Sequence, residues 1–400
     1  MSYPTVIEQS NQVLKALVDA GEQVLGYIYP HPPHELIIAH RLKPSLVRTN
    51  PAVVGAYEAS LQTFACSLTR NLFSQRVNGS LPQLAGILFP GNTCDALQNV
   101  GDVWQKRFPE DKVFRLTYPV GDAGESSVDF LAMEIKAFSD NLAILSGNDF
   151  SESNFKTAAL LLHEIRDVLQ LMYCTRLLYP SFLSYNELSH FVGEFLTAPT
   201  QEVSERMKRE WEEAMESFEK DNQRDKVEQL RESLLNQNLS GFKVDIDTSS
   251  PRIVVIGGMI EPRTFAGLIE NVPGFTDTTL VLDMFSLGFK TVFTPPVNIE
   301  GEPFKESARS ILGAHGEPTQ EGLPKRVAFL KDVLTKLSIQ GLIVCEQSFC
   351  DPDEFESPSL EKAAEEVGVP TVKLPLDSEL SDRARIEGRI QTFLETIDAN

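Results

Sequence analysis

Five cysteines carry most of the chemistry this 400-residue chain could do: Cys66, Cys94, Cys174, Cys345 and Cys350. A thiol held as thiolate is a nucleophile or a metal ligand; otherwise it is a small buried hydrophobe. Cys94 stands in "ILFPGNTCDALQNVGDVW", where an apolar run passes through Pro, Gly and Asn into the cysteine and then into a helical pattern. Cys350 repeats that arrangement in "GLIVCEQSFCDPDEFESPS". Both therefore sit at the carboxyl end of a predicted strand and at the mouth of a predicted helix. There the unpaired N–H groups and the helix dipole favour a thiolate. That edge of an open α/β sheet is also where ligands bind.

Cys66, in "FACSLTRNLF", lies within or beside a predicted helix, 28 residues before Cys94, and Cys350 follows Cys94 by 256. With no local Cys-x-x-Cys, spacing alone leaves the nucleophile, metal-ligand and core readings open. Cys345, inside the apolar run "GLIVC", and Cys174, beside Leu171, Leu177 and Leu178, read as core thiols. Asp95 reads as a helix-start residue rather than a ligand. "PHPPHELIIAH" gathers His31, His34 and His40, half of the six histidines. A second metal site or an acid–base group competes there with a proline-fixed loop of solvent-facing imidazoles, and the loop is the expected outcome.

The elements that must position these thiols follow from periodicity. Residues 1–25 predict a helix, with Val6, Val13, Leu14, Leu17 and Val18 at helical spacing. Prolines forbid a regular element until Glu35, where a helix can begin. "LAGILFP" and "VFRLTYP" predict strands, each followed by a helical pattern, which implies a parallel sheet. Residues 151–245 predict helices without strands, and the charge-dense run 201–235 reads as a solvated helix with i,i+4 pairs. "RIVVIGG", "TLVLDMF", "GLIVCEQ" and "PTVKLPLD" then predict a second alternating block. Gly257 and Gly258 read as a strand-end turn, because the stretch lacks Gly-x-Gly-x-x-Gly. The expected architecture is two α/β units, residues 1–150 and 246–400, with a helical segment, 151–245, between or around them.

Composition narrows the function classes. A formal net charge of −21 disfavours nucleic acid and anionic membrane surfaces, which need clustered Lys and Arg. Five widely spaced cysteines do not form a secreted disulfide framework. The amino terminus shows no basic segment followed by an apolar run, and no stretch approaches the roughly 18–20 apolar residues of a membrane helix. A cytoplasmic protein is expected. No Gly-x-x-x-x-Gly-Lys-Ser/Thr loop is present, so ATP use would belong to a partner.

Four segments resemble the D-component of 2-hydroxyacyl-CoA dehydratases, a family that also holds the matching subunits of ATP-dependent benzoyl-CoA reductases. They are "GYIYPHPPHELIIAHRLKP", "FACSLTRNLF", "LFPGNTCDALQNVGDVW" and "GLIVCEQSFCDPDEFESPSLEKAAEEVGVPTVKLPLD". The resemblance implies two flavodoxin-like or Rossmann-like domains and a [4Fe–4S] cluster held by Cys66, Cys94 and Cys350. The fourth iron would be left for water, a small sulfur ligand or the substrate. It implies a lyase that dehydrates a 2-hydroxyacyl-CoA to an enoyl-CoA through a ketyl radical anion. The electron would come from a separate ATP-dependent activator. A dimer with itself or a related subunit is implied too.

An aromatic acyl-CoA reductase subunit is the related alternative. A non-catalytic electron-relay or assembly partner and a structural zinc–thiolate protein are the others. Lys290, Arg263 and Arg326 are candidate donors to CoA phosphates. The chain departs from the family at Arg41, where a glycine is usual and a positive φ would strain arginine. It also has no cysteine in "LDMFSLGFKTVF", around Phe285, or in "ILGAHGEPT". With two of five thiols read as core, too few are left for a double cubane.

Overall fold

The computed structural model describes residues 11–121, 124–218, 223–242, 251–276, 279–320 and 322–398. Two four-stranded sheets organise the chain, and every pairing in both is parallel. The first contains β1 (Val24–Tyr27), β2 (Lys43–Leu46), β3 (Gly86–Gly91) and β4 (Val113–Thr117) in the order 2-1-3-4. The second contains β5 (Ile253–Gly257), β6 (Leu280–Phe285), β7 (Gly341–Gln347) and β8 (Thr371–Leu376), in the equivalent order 6-5-7-8. This is the start of the flavodoxin-like order, whose ligand crevice opens where the strand order reverses. Central strands β3, β5 and β7 are buried along their whole length, as a sheet covered on both faces requires.

Helices join the strands. In chain order the first are α1 (Gln12–Asp19), α2 (His34–Ala39), α3 (Ser67–Val77), α4 (Asp95–Arg107) and α5 (Glu125–Ser146). A helical stretch without strands among its described residues follows: α6 (Glu152–Leu178), α7 (Tyr185–Thr197), α8 (Gln201–Phe218) and α9 (Gln223–Leu235). The second sheet carries α10 (Pro262–Ile269), α11 (Pro303–Gly313), α12 (Leu323–Lys336), α13 (Asp351–Glu366) and α14 (Arg383–Asp398). No helix among the described residues is long and apolar enough to cross a membrane. The two sheets share one continuous apolar core.

Sequence periodicity located β3 to β8 but missed β1 and β2. Both are only four residues long, and Pro44 sits inside β2. A proline is tolerated there because β2 is an edge strand. Among the described residues of the expected 1–25 helix, α1 spans Gln12–Asp19 and Gly21 turns the chain into β1; residues 1–10, Val6 among them, lie outside the described residues. Helix α2 begins at His34, one residue before the position the prolines suggested. The charged run forms α8 and α9, whose buried Met207, Val227, Leu230 and Leu234 face the core.

Arg41 does occupy the left-handed region, at φ 60°. That conformation costs an L-residue roughly 1–2 kcal/mol, while a glycine loses roughly 0.5–1 kcal/mol of chain entropy on folding. Arg41→Gly is therefore expected to raise stability by about 0.5 kcal/mol, and Arg41→Val to lower it by more than that. Urea midpoints of the two variants check the sign.

Candidate cysteine centre

Each of the three cysteines that the resemblance implies as ligands is the N-cap of a helix. Cys66 caps α3, Cys94 caps α4 and Cys350 caps α13, all with extended backbone. The carbonyl of each opens the first helical turn, accepting from Arg70, Gln98 and Glu354 N–H at 3.1, 3.0 and 3.0 Å. Local sequence sets this up. β3 and β7 are the third strands of their sheets, so Cys94 and Cys350 occupy equivalent places. A left-handed residue turns the chain just before each: Asn92 at φ 61° and Phe349 at φ 61°. Asn92 holds its turn with Nδ2 donating to the Tyr118 carbonyl at 3.1 Å. Phe349 lies against the Arg70 guanidinium, 5.4 Å from its ring centre.

The two halves meet at these caps. Ser67 N–H donates to the Ser348 carbonyl at 3.0 Å, which lays the mouth of α3 against the turn before Cys350. The Gln347 amide donates to Ser67 Oγ and, at 3.1 Å, to Ser378 Oγ. The Cys66 and Cys350 thiols consequently share a hydrogen bond, and Cys94 lies within electrostatic reach of Cys66. All three are buried. Among the described residues, no three His, Cys, Asp or Glu side chains close to the spacing of a single-ion site.

The thiols differ in acidity. Cys66 is held below the ordinary thiol range, first by the hydrogen bond from Cys350 and further by the N–H groups of Leu68 and Thr69, against the opposing effect of burial. Cys350 is pushed up because it keeps the shared proton and is buried. Burial pushes Cys94 up to about 11, while the N–H groups of Leu97 and Ala96 act the other way. Asp353, in the first turn of α13, lies within hydrogen-bond reach of Cys350, and its carboxylate accepts from Gln347 N–H at 2.9 Å. Burial pushes it up to about 7, with the charges of Glu317 and Glu356 adding to the effect. Gly258 makes room for this carboxylate, since a Cβ there would collide with it.

The other sequence candidates fall elsewhere. Cys174 and Cys345 are core thiols, 0% and 1% exposed. Asp95 is the first residue of α4 and takes the helix-start place expected of it. The histidines are not solvent-facing: His31, His34 and His40 are 3%, 1% and 0% exposed. Their proline-bracketed turn is wedged against α6 and the segment Thr291–Ile311 rather than lying on the surface. His34 meets the Tyr27 ring edge-on at 4.9 Å, and His40 bridges Ser139 Oγ and the Asn148 carbonyl, each at 2.8 Å. Glu35, next to His34, pairs with Arg166 at 3.0 Å. Lys290, Arg263 and Arg326 do not form an open phosphate clamp. Lys290 and Arg263 are buried, and Arg326 is held by Glu356 at 2.8 and 3.0 Å.

His315 has a pH consequence. Its ring packs against Phe289 and Phe329, and burial pushes it down to about 3. Below the ordinary histidine value the unfolded chain binds a proton that the folded chain refuses, so stability falls as pH falls through that window. Between about pH 6.5 and 5 this one group removes roughly 2 kcal/mol. Asp353, raised rather than lowered, tilts the other way over the same range. Urea midpoints at both pH values should show a shallower acid loss in His315→Phe than in the parent chain.

The chain matches known proteins over nearly its whole length. Residues 31–397 match the family model described as 2-hydroxyglutaryl-CoA dehydratase, D-component. The chain is 20% identical over 388 residues to the (R)-phenyllactyl-CoA dehydratase beta subunit of Clostridium sporogenes, covering 96% of this chain and 94% of that one. It is 20% identical over 391 residues to the lactoyl-CoA dehydratase subunit beta of Anaerotignum propionicum, covering 95% and 93%. A 58-residue stretch, 14% of this chain and 15% of the other, is 36% identical to the (R)-2-hydroxyglutaryl-CoA dehydratase subunit beta of Acidaminococcus fermentans. With nearly its whole length matched, the chain belongs to the 2-hydroxyglutaryl-CoA dehydratase D-component family.

Proposed function

We propose that this chain is a [4Fe–4S] subunit of a 2-hydroxyacyl-CoA dehydratase-type enzyme, with Cys66, Cys94 and Cys350 as the ligands of the cluster. One observation carries the reading: three helix-capping thiols, two of them just after equivalent strands of separate sheets, come within electrostatic reach of one another from sites up to 284 residues apart in the chain. Iron–sulfur clusters take thiolates, and helix mouths supply the N–H groups that stabilise them. A cubane is wider than a single ion, so its ligands need not close to single-ion spacing. It would replace the Cys66–Cys350 hydrogen bond.

When bound, such a cluster supplies one-electron transfer to or from the acyl thioester. The chain's own residues do the rest of the work at this place. Burial of the three caps keeps water from the sulfurs. The Ser67–Ser348 and Gln347–Ser67 bonds fix the two halves across the site. Asp353 stands where a proton can be held beside Cys350.

The relatives' names supply the reaction class, removal of water from a 2-hydroxyacyl-CoA, and their beta-subunit titles support a companion subunit. The low-potential electron would come from an ATP-dependent activator. A relay role is favoured by the burial of all three cysteines. An aromatic acyl-CoA reductase subunit belongs to the same chemistry.

Anaerobic assay with the companion subunit, an activator, ATP and a 2-hydroxyacyl-CoA tests the proposal. Enoyl-CoA formation that stops without this chain supports it. Reduction of an aromatic acyl-CoA instead would move the chain to the reductase branch. No turnover of any acyl-CoA, with electron transfer to the companion subunit intact, would leave the relay role.

A further inference from the structure

The far end of α3 carries a reactive pair. Cys66 opens that helix and Asn78 closes it. Gly79 follows, and Asn78 is the only asparagine in the chain with a glycine after it. Asn78, Gly79 and Ser80 are all exposed.

The exit from α3 departs from the usual glycine-capped turn. Asn78 still has helical backbone, at φ −87°, ψ −1°, and its N–H donates to the Ser74 carbonyl at 2.9 Å. Gly79 then takes φ 79°, as a residue just past a helix commonly does. In the common form of this turn the glycine N–H donates back to the last helical turn. Here the bonds pass around it. Ser80 N–H donates to Asn78 Oδ1 at 2.9 Å, and Ser80 Oγ donates to the Gln75 carbonyl at 3.3 Å. Leu81 N–H reaches that same carbonyl at 3.0 Å. Gly79 N–H meets no acceptor among the described residues. A Cβ on Gly79 would meet nothing within 4 Å, so no neighbour crowds its nitrogen.

Two of these features favour attack of the Gly79 nitrogen on the Asn78 side chain. The nitrogen is neither tied nor crowded, and the Ser80 N–H on Oδ1 makes Cγ more electrophilic. One feature opposes it. At ψ −1° the nitrogen does not face Cγ, so Asn78 must rotate about its Cα–C bond before a five-membered ring can close. The last turn has to open for that, and helix ends open at little cost.

We propose that Asn78–Gly79 is a site of spontaneous backbone modification through a succinimide. Gly79 N bonds to Asn78 Cγ, the Cγ–Nδ2 bond breaks, and Nδ2 leaves as ammonia with the Gly79 proton. Solvent water then opens the ring. Cleavage between the ring nitrogen and Cγ leaves aspartate. Cleavage between that nitrogen and the backbone carbonyl carbon of residue 78 leaves isoaspartate, with the chain running through Cγ. No oxidant or reductant takes part. Isoaspartate is the substrate class of the carboxyl methyltransferases that act on such residues. It also lengthens the main chain by one methylene between Gln75 and Leu81, whose side chain is buried and whose N–H is held by the Gln75 carbonyl. Both products place a negative charge at the negative end of α3. The inference does not depend on what the cysteines hold.

Incubation of the full-length chain under anaerobic, mildly alkaline conditions, with peptide mapping at intervals, tests it. Residue 78 is expected to exchange its amide for a carboxyl ahead of every other asparagine and to become a methyl acceptor for an isoaspartyl methyltransferase. Conversion should be no more than about tenfold slower than in a free peptide of residues 73–82, because only a helix end has to fray. Asn78→Gln should lose the methyl acceptance, since its ring would need six members. Conversion slowed by more than about tenfold would overturn the proposal, because the turn would then protect the pair. So would modification spread evenly over the other asparagines, or methyl acceptance that survives in Asn78→Gln.

Discussion

Replacing Arg48 with methionine is expected to destabilise the protein by about 3–5 kcal/mol, the cost of leaving one member of a buried ion pair behind. Arg48 Nε donates to both Glu261 oxygens, at 2.8 and 2.9 Å, and the guanidinium also donates to the Gly193 carbonyl at 2.8 Å. Both side chains are 8% exposed. Arg48 follows β2 of the first sheet, Glu261 caps α10 of the second, and Gly193 belongs to α7 of the helical stretch. One side chain thus ties all three parts together, and its loss leaves a carboxylate without its cation in the interior. Arg48→Met combined with Glu261→Met should recover most of the loss, because an apolar pair of similar volume does not carry that charge. Urea unfolding of the single and double variants measures both. A single variant within about 0.5 kcal/mol of the parent would mean that water reaches Glu261.

The second large effect is expected at Asp283. Its carboxylate is fully buried, and burial pushes its pKa up. It is the common acceptor for two tyrosine hydroxyls and for the N–H of Phe289. Asp283→Leu leaves those donors without a partner, at roughly 1–3 kcal/mol for each that stays buried. A total loss of about 3–5 kcal/mol is expected once the relief of burying a carboxylate is set against it. Asp283→Asn keeps one carbonyl oxygen and the volume, so about 1–2 kcal/mol is expected. A leucine variant as stable as the asparagine one would show that the tyrosine hydroxyls find other acceptors.

The legible part of the fold was the part with strong local signals. β3 and β7 are largely apolar runs followed by turn residues and then by helical periodicity, so parallel sheets and the helix-mouth places of Cys94 and Cys350 could be read directly. β1 and β2 could not, because four residues give too little pattern and Pro44 argues against a strand unless its edge position is known. The thiol pairing of Cys66 with Cys350 is a tertiary fact. No spacing rule encodes it, and the family likeness pointed to it only as an implied ligand set.

The histidine turn misled because polarity and prolines suggest a surface loop. Partners distant in sequence, Ser139 and Asn148, stabilise the burial of His40, whereas His31 Nε2 and His34 Nε2 are buried without a partner.

The central claim is that Cys66, Cys94 and Cys350 together hold a four-iron cluster. Iron and acid-labile sulfide, determined on anaerobically purified protein and on the three single Cys→Ser variants, test it most directly. About four of each per chain is predicted, falling to near zero in every one of the three variants and unchanged in Cys174→Ser. Zinc without sulfide, or iron that survives all three substitutions, would contradict it.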